Sequence, residues 1–438
     1  MNTTNMDKQD DKQESVTPKL RFPEFQMELG WRKDNLGNLF TERKEKGYPN
    51  LPLLSLTEQN GIIPQAETNR KNNSSLDKSK YLRVCYGDIA YNTMRMWEGR
   101  SAFVNMEGIV SPAYTICIPK NHINSFFYSY YFKLPNLISE FHRYSQGLVK
   151  DTLNLKFDKF ARISVGVPPK SEEQQKIADC LSSIDELIEL QEQKLAALKQ
   201  HKKGLMQQLF PSHNDLQASK QASKQASKQI VYPKLRFPQF KDCKGWEVVR
   251  ISDLLVEKKR PVKLENETEY CLVTVKRRHG GITLREVAKG KEIKVQSQFR
   301  VFTDDFLISK RQIVHCACGV LPEALDGSIV SNEYSVLNAK ENVNITFFNY
   351  FCHQPIVEKS FLDCSSGIVI EKMLFKLDEW MKQEFYFPKN PKEQQAIADC
   401  LSSLDKLISE ENEQIGRLKD HKKGLMQQLF PIFRNQYE

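Results

Sequence analysis

The chain has 438 residues, 40% hydrophobic and 27% charged, with a formal net charge of +9. That balance belongs to a soluble globular protein of roughly three domains and excludes a fibrous or wholly disordered chain. No apolar run approaches the ~20 residues of a membrane span, so no membrane partner is expected, and the moderate positive charge permits a polyanionic one.

The N-terminus, MNTTNMDKQDDKQES, is polar and lacks the apolar stretch of a signal peptide. Residues 1–17 are expected to form a disordered tail. The ten cysteines have no disulfide-like spacing, which points to a reducing cytoplasm. A first head follows over 18–169, opening with PKLRFPEF…GW from Pro18 to Trp31. Its short runs YLRVCYGDIAY and SAFVNMEGIVSPAYTICI, broken by Gly, Asn and Pro, predict twisted sheets with loops. Two basic and aromatic clusters lie inside it: Arg70 with Lys71, and Tyr91, Asn92, Arg95, Trp97 and Arg100 within YNTMRMWEGR.

A helix is predicted over 170–211. Ile177, Leu181, Ile184, Ile188, Gln191, Leu195, Leu198, Lys202 and Leu205 recur by fours and threes, the seam of a heptad repeat. Ser171 with Gln174 offers a capping box at its start, and Pro211 stops it. Residues 212–232 then read as a linker containing three QASK units, Gln217 to Lys228. Composition makes it a flexible polar connector. If helical, each unit would add ~6 Å, about the rise of two base pairs at ~3.4 Å each, so repeat number is a candidate length control.

The second head, 233–389, opens alike with PKLRFPQF…GW, Pro233 to Trp246. Its closing stretch, Ser365–Lys389, aligns without a gap on Ser145–Pro169 of the first. The interiors diverge: here the clusters are Lys276, Arg277, Arg278 and His279, and Lys310, Arg311 and Gln312. A common frame around different interiors suits two modules doing one kind of job on two targets. Arg, Lys, Asn and Gln suit purine edges in a major groove, with lysines on phosphates. The opposing interpretation is a solvated charged surface.

A second helix is predicted over 390–431, with Pro391 near its start, Pro431 at its end and a short tail, 432–438, beyond. Its segment from Glu393 to Pro431 repeats Glu173 to Pro211 at a 220-residue offset, with about two-thirds of positions identical. Its seam is Ile397, Leu401, Leu404, Ile408, Glu411, Ile415, Leu418, Lys422 and Leu425. Both seams are narrow and break at matching polar positions, as two helices packed on each other require; a helix on its own domain usually has a wider apolar stripe. A pseudo-two-fold pair runs antiparallel, and each helix would be about 55 Å long. The ends HKKGLMQQLFP, with Lys202, Lys203, Lys422 and Lys423, would complement the helix dipole or dock another subunit.

Catalytic signatures are missing. There is no Asn-Pro-Pro-aromatic motif, no GxxxxGK loop and no HExxH or Ser/His/Asp pattern. Asp88, Asp304 and Asp305 are scattered acidic residues without a nuclease motif. His315 to Cys318 reads HCAC, with Cys352 and His353 as possible partners, but Cys-x-Cys is poor spacing for zinc and no metal site is expected.

The order of parts resembles the specificity subunit of type I restriction–modification enzymes. The residues that carry the match are GDIAYNTMRMWEGR with GIVSPAYT (Gly87–Thr115), the PPK…EQQKIADCL entry to the first helix and its EQQAIADCLSSLD copy. The QASK tract looks like the spacer repeats of some members. The resemblance covers the chain from about Pro18 onward, and head two departs from it, reading DDFLISKRQIVHCACG with GSIVSNEYS. It implies an α+β protein with two β-rich target-recognition domains in tandem, each followed by a long helix, the helices forming an antiparallel coiled coil. It also implies no catalytic site and no cofactor in this chain. The partners would be double-stranded DNA, two modification subunits that use S-adenosylmethionine, and restriction subunits that use ATP and Mg2+. Two other readings stand beside it: a self-contained DNA-modifying or DNA-cleaving enzyme, which would act on DNA unaided, and a scaffold that binds no duplex.

Overall fold

The computed structural model describes residues 15–57, 61–68, 77–211 and 230–432. Arg70, Lys71 and the QASK tract lie outside the described residues. The chain folds into two compact units that do not follow its linear halves: residues 1–193 with 413–438 form one, and 194–412 the other. Each unit thus takes one head, the opening half of the long helix that follows it, and the closing half of the other long helix.

In the first unit, Ser15–Val16, Trp31–Asn35 and Ser164–Val167 form a three-stranded antiparallel sheet with Trp31–Asn35 in the middle. Ser15 and Val16 pair with Arg32 and Trp31, so residues 15–16 of the expected disordered tail form a strand. A four-stranded sheet follows in the order Phe40–Glu42, Tyr114–Pro119, Ile89–Asn92, Ser101–Phe103. The second unit repeats both. Ile230–Val231, Trp246–Arg250 and Glu384–Phe387 make the first sheet, and Leu255–Glu257, Tyr334–Ala339, Phe306–Ser309 and Cys318–Val320 the second.

The inserts between these strands are what differ. Among its described residues head one carries two strand pairs, Leu54–Leu56 with Ile62–Pro64 and Leu82–Val84 with Gly108–Val110. Head two carries one five-stranded sheet, Pro261–Val262, Gln298–Arg300, Ile329–Ser331, Glu269–Val275 and Ile282–Lys289 in that order. Its last two strands are a hairpin closing at Val275 and Ile282, which places Lys276 to Gly281 in the connecting loop.

The residues shared between the copies build the frame. Glu173, 1% exposed, accepts from Arg21 Nε at 2.8 Å, Arg21 Nη2 at 2.7 Å and Trp31 Nε1 at 3.1 Å. Arg21 spends its other donors on the carbonyls of Glu28 and Leu29. Glu393 is held in the same way by Arg236 and Trp246. One buried knot therefore joins PKLRFP, GW and EQQ, because a buried carboxylate must be paired and fully hydrogen-bonded.

The capping box expected at Ser171 is not formed. Gln174 is buried and accepts from Asn124 N at 2.9 Å, tying the long helix to the start of the earlier helix Ser125–Tyr131. Asn124 itself caps that helix, its side chain accepting from Phe127 N. The second long helix, Pro391–Leu429, does have a side-chain cap, with Asn390 Oδ1 accepting from Lys392 N at 3.0 Å.

The first long helix is Ser171–Leu209. In unit one its opening half lies antiparallel to the closing half of Pro391–Leu429: Lys422 Nζ donates to both Asp185 oxygens (2.5 and 2.6 Å) and Lys419 to Glu192 at 2.7 Å. In unit two, Lys202 meets Asp405 at the same distances and Lys194 pairs with Glu411. Ile177, Leu181, Ile184, Ile188, Ile397, Leu401 and Ile415 are buried, and Leu195, Leu198, Leu205, Leu404, Ile408, Leu418 and Leu425 are half-buried. The first turns also serve the heads, since Ile177 and Leu181 join the core of head one, and Ile397 and Leu401 that of head two.

The repeated helix ends dock on aromatic cores. Phe430 packs on Tyr131, Phe127 and Trp31 of head one, with ring centres 4.9, 5.1 and 6.1 Å away. Phe210 packs on Phe347 and Trp246 of head two at 5.5 and 5.7 Å. Lys202 and Lys422 are spent on the carboxylates of the antiparallel partner, while Lys203 and Lys423 are exposed.

Candidate functional site

Each head offers one surface turn at the same place in its frame. In head one it runs from the end of strand Ile89–Asn92 through the short turn Met96–Glu98 to Gly99. In head two it runs from Phe306–Ser309 through Ile313–His315 to Cys316. NTMRMWE and SKRQIVH therefore occupy equivalent positions, and two of the clusters singled out in the sequence share one structural role.

Within the first turn, Asn92 Oδ1 accepts from Met94 N at 3.0 Å and fixes the chain as it leaves the strand. Trp97 donates to Met94 O at 3.0 Å and packs edge-on to His142. Arg95 is exposed, and Arg100 lies 3.6 Å from Glu98. Tyr91 is not part of this surface. It is 0% exposed and packs against Phe160, with tilted rings and centres 5.2 Å apart, because Ile89–Asn92 is an inner strand covered on both faces. The expected DNA contact at Tyr91 is thus corrected to a core role.

Head two brings its two clusters together. Arg277 Nε donates to Gln312 Oε1 at 2.7 Å, and its Nη2 reaches Glu371 at 3.0 Å. The loop backbone is docked as well, with Arg278 N on His315 O (2.7 Å) and His279 N on Cys316 O (3.0 Å). Lys276, Arg277, Arg278 and Arg311 are exposed. Lys310 donates to Asn332 O and Arg311 pairs with Glu333. His279 is a second correction: its side chain is 11% exposed and turns inward to Glu358, so it supports the loop rather than lining its outer face.

A second pair of equivalent positions was not singled out in the sequence. Leu148 and Ile368 are fully exposed aliphatic side chains at matching loop tips, followed by exposed Val149 and Val369. Each follows a glycine with positive φ, Gly147 (150°) and Gly367 (153°). The matched glycines in the ungapped alignment were the available signal.

Two of the three acidic residues that might mimic a nuclease, Asp88 and Asp305, are structural, and Asp304 is exposed. Asp88, 1% exposed, accepts from Arg43 Nε at 2.8 Å and from Cys85 N at 2.8 Å. Asp305, also 1% exposed, accepts from Arg260 at 2.7 Å and from Phe302 N at 2.8 Å. The carboxylate of Asp88 raises the pKa of Arg43 above the usual guanidinium range despite partial burial. On the helices, Tyr130 and Tyr350 donate to Asp185 and Asp405, and burial with the adjacent carboxylate pushes both phenols well up.

A model of the type I restriction modification DNA specificity domain matches residues 28–200 and again 243–419. The fold is similar to the crystal structure of a type I restriction–modification S subunit from M. genitalium, at 12% identity and a TM-score of 0.57, covering 96% of this chain and 100% of that one. An HsdS subunit from Thermoanaerobacter tengcongensis aligns at 13% identity and a TM-score of 0.44, covering 91% and 96% of the two chains. A chain from a structure concerned with complex assembly and conformational transition of the type I system aligns at 13% identity and a TM-score of 0.49, covering 92% and 97%.

Proposed function

Because this chain belongs to the type I restriction–modification DNA specificity family, we propose that each head reads one half of a bipartite DNA site through its strand-to-turn surface. The chain is a DNA-recognition subunit, and family membership assigns it recognition in place of catalysis. The chemistry would come from cytoplasmic partners: two modification subunits that methylate adenine with S-adenosylmethionine, and restriction subunits that use ATP and Mg2+. The paired helix segments would set the spacing of the half-sites and carry those partners.

The observation that supports this most is the shared turn with different side chains. The frame is the same in both heads down to its buried knot, while the exposed cations differ: Arg95 in one, Arg277, Arg278 and Arg311 in the other. Arginine donates bidentately to guanine O6 and N7, which suits base readout.

The test uses the whole chain with its modification partner and a selection from randomised duplex DNA. Arg95→Ala should relax preference within one half-site, and Arg277→Ala within the other, each by about 1–3 kcal/mol at the affected base. Affinity should fall with salt as phosphate contacts are lost. Two variants that alter the same half-site, or neither, would remove the assignment of one head to one half. Purified chain that cuts or methylates DNA without partners would favour the self-contained enzyme.

A further inference from the structure

The loop that carries Lys276 to Gly281 is held from beneath by a cluster of metal-ligating side chains. His279 comes from the hairpin loop, Cys316 from the turn after Ile313–His315, and Glu358 from the helix Pro355–Asp363. Their donor atoms all lie within 4.8 Å of one another. His279 Nε2 is 2.8 Å from Glu358 Oε1, and its Nδ1 is 3.9 Å from the Sγ of buried Cys318. The His279 ring stacks on His353 with centres 3.9 Å apart, and His353 Nε2 is buried without a hydrogen-bond partner among the described residues. All these cysteines are free.

The backbone gives an independent reason to treat the cluster as built. Cys316 holds a left-handed conformation, φ 56°, at the position that Gly99 occupies in head one with φ 77°. Arg278 and His279 are left-handed too, with φ 56° and 52°. A side chain at such a φ costs conformational energy that glycine avoids, so a thiol at this place needs a compensating interaction. The two glycines of the loop, Gly280 and Gly281, leave His279 free to face inward while Arg277 and Arg278 face out.

We propose that His279, Cys316 and Glu358 bind a soft divalent cation of the zinc class, with Cys318 as the further thiol of the set. Imidazole, thiolate and carboxylate together suit zinc, whose tetrahedral bonds of ~2.0–2.3 Å place donors roughly 3.3–3.8 Å apart. To reach that, the 2.8 Å contact between His279 and Glu358 would open by roughly half an ångström, and the longer separations, up to 4.8 Å, would close. Ligation through Nε2 would group the imidazole with Glu358. Ligation through Nδ1 would group it with Cys318 and leave Nε2–H donating to the Glu358 carboxylate, the outer partner that commonly fixes a metal-bound imidazole. In both arrangements His279 and Cys316 are ligands and the ion pins the hairpin loop to the neighbouring turn; Glu358 ties in the helix Pro355–Asp363, as a ligand in the first arrangement and by accepting from His279 Nε2–H in the second. Linear spacing did not point here, because Cys316-x-Cys318 is a poor pair alone and the third and fourth donors lie 37 residues before and 42 after Cys316 in the chain.

The experiment is a cobalt titration of the full chain, reduced and freed of metal by chelation, followed by displacement with zinc. One cobalt per chain should bind with a thiolate-to-cobalt charge-transfer absorption, and zinc should displace it with sub-micromolar affinity. Cys316→Gly and His279→Asn should weaken binding by more than about 10-fold, the lower bound seen even for outer partners. Cys316→Gly suits the left-handed backbone, so the variant is expected to fold, and circular dichroism checks that it does. Cys271→Ala, an exposed cysteine away from the cluster, should bind as the parent does. Absence of the thiolate band in the parent would overturn the proposal. So would equal affinity in folded Cys316→Gly, which would mark an adventitious ion only.

Discussion

Glu173 and Glu393 are each 1% exposed, and each is the meeting point of an arginine and a tryptophan from the opening of its own head. Removing one member leaves a buried charge unpaired, which typically costs 3–5 kcal/mol. Glu173→Ala is therefore expected to destabilise the protein by about 3–5 kcal/mol in a urea titration, with Glu393→Ala close to it. A double variant, Arg21→Ala with Glu173→Ala, should cost less than the sum of the singles, because the second change no longer strands a charge. The repeats pointed to these residues as a frame, but no local pattern says that PKLRFP, GW and EQQ converge. Tyr91 shows the opposite failure. It lies beside Asn92 and Arg95 in sequence, yet the apolar run Ile89, Ala90, Tyr91 is entirely buried. Tyr91→Phe should change DNA affinity of the assembled complex by less than about 0.5 kcal/mol, the scale of a substitution that touches no interface, measured by fluorescence titration.

The helices were the most legible elements. Heptad positions marked the seam, and burial follows them from Ile177 to Leu205 and from Ile397 to Leu425. What the seam could not reveal is where the last turns go. An amphipathic stripe says that a helix needs an apolar partner, not which aromatic residues supply it. The repeated Leu-Phe-Pro end is the anchor: Phe210 and Phe430 are each 2% exposed or less and sit against tryptophan in aromatic cores. Phe210→Ala and Phe430→Ala should each cost about 3–5 kcal/mol by loss of a large buried ring. The lysine–aspartate pairs of the seam are part-exposed, with Asp185 and Asp405 side chains both 44% exposed, so screening leaves them modest. Asp185→Asn and Asp405→Asn should cost under about 1 kcal/mol each, and equally. Unequal losses in the two aspartate variants would show that the two copies have diverged energetically where their geometry agrees.

Each compact unit contains residues from both halves of the chain, so the sequence order of parts is not the order of packing. In unit two, Leu235 N donates to Gln208 O at 3.0 Å, joining the start of head two to the end of the first helix. In unit one, Leu20 N donates to Gln428 O at 3.0 Å, the same contact made by the opposite ends of the chain. Residues 209–234 connect the partners of the first contact along the chain, whereas the partners of the second lie 408 positions apart in the sequence (428 − 20). The covalent linker is therefore not what makes a helix end dock on a head; Phe430 on Trp31 and Tyr131 does the same work as Phe210 on Trp246. Each unit is completed by a helix end from the other half of the chain, which the long repeat could not establish, since a duplication is equally compatible with two self-contained halves. A permuted chain tests this. Pro431 would be joined to Pro18 by a copy of the 212–232 segment, and new termini opened within the QASK tract. Both backbone contacts and both aromatic anchors survive that change, so the permutant should unfold within a few degrees of the parent and keep the DNA preference of the complex. Opening the chain between Gln193 and Lys194 instead cuts the first long helix where its two halves serve different units, and that version should lose cooperative unfolding. If the QASK permutant failed to fold while the helix-opened chain folded well, the covalent linker, and not the docked helix end, would be what organises each unit.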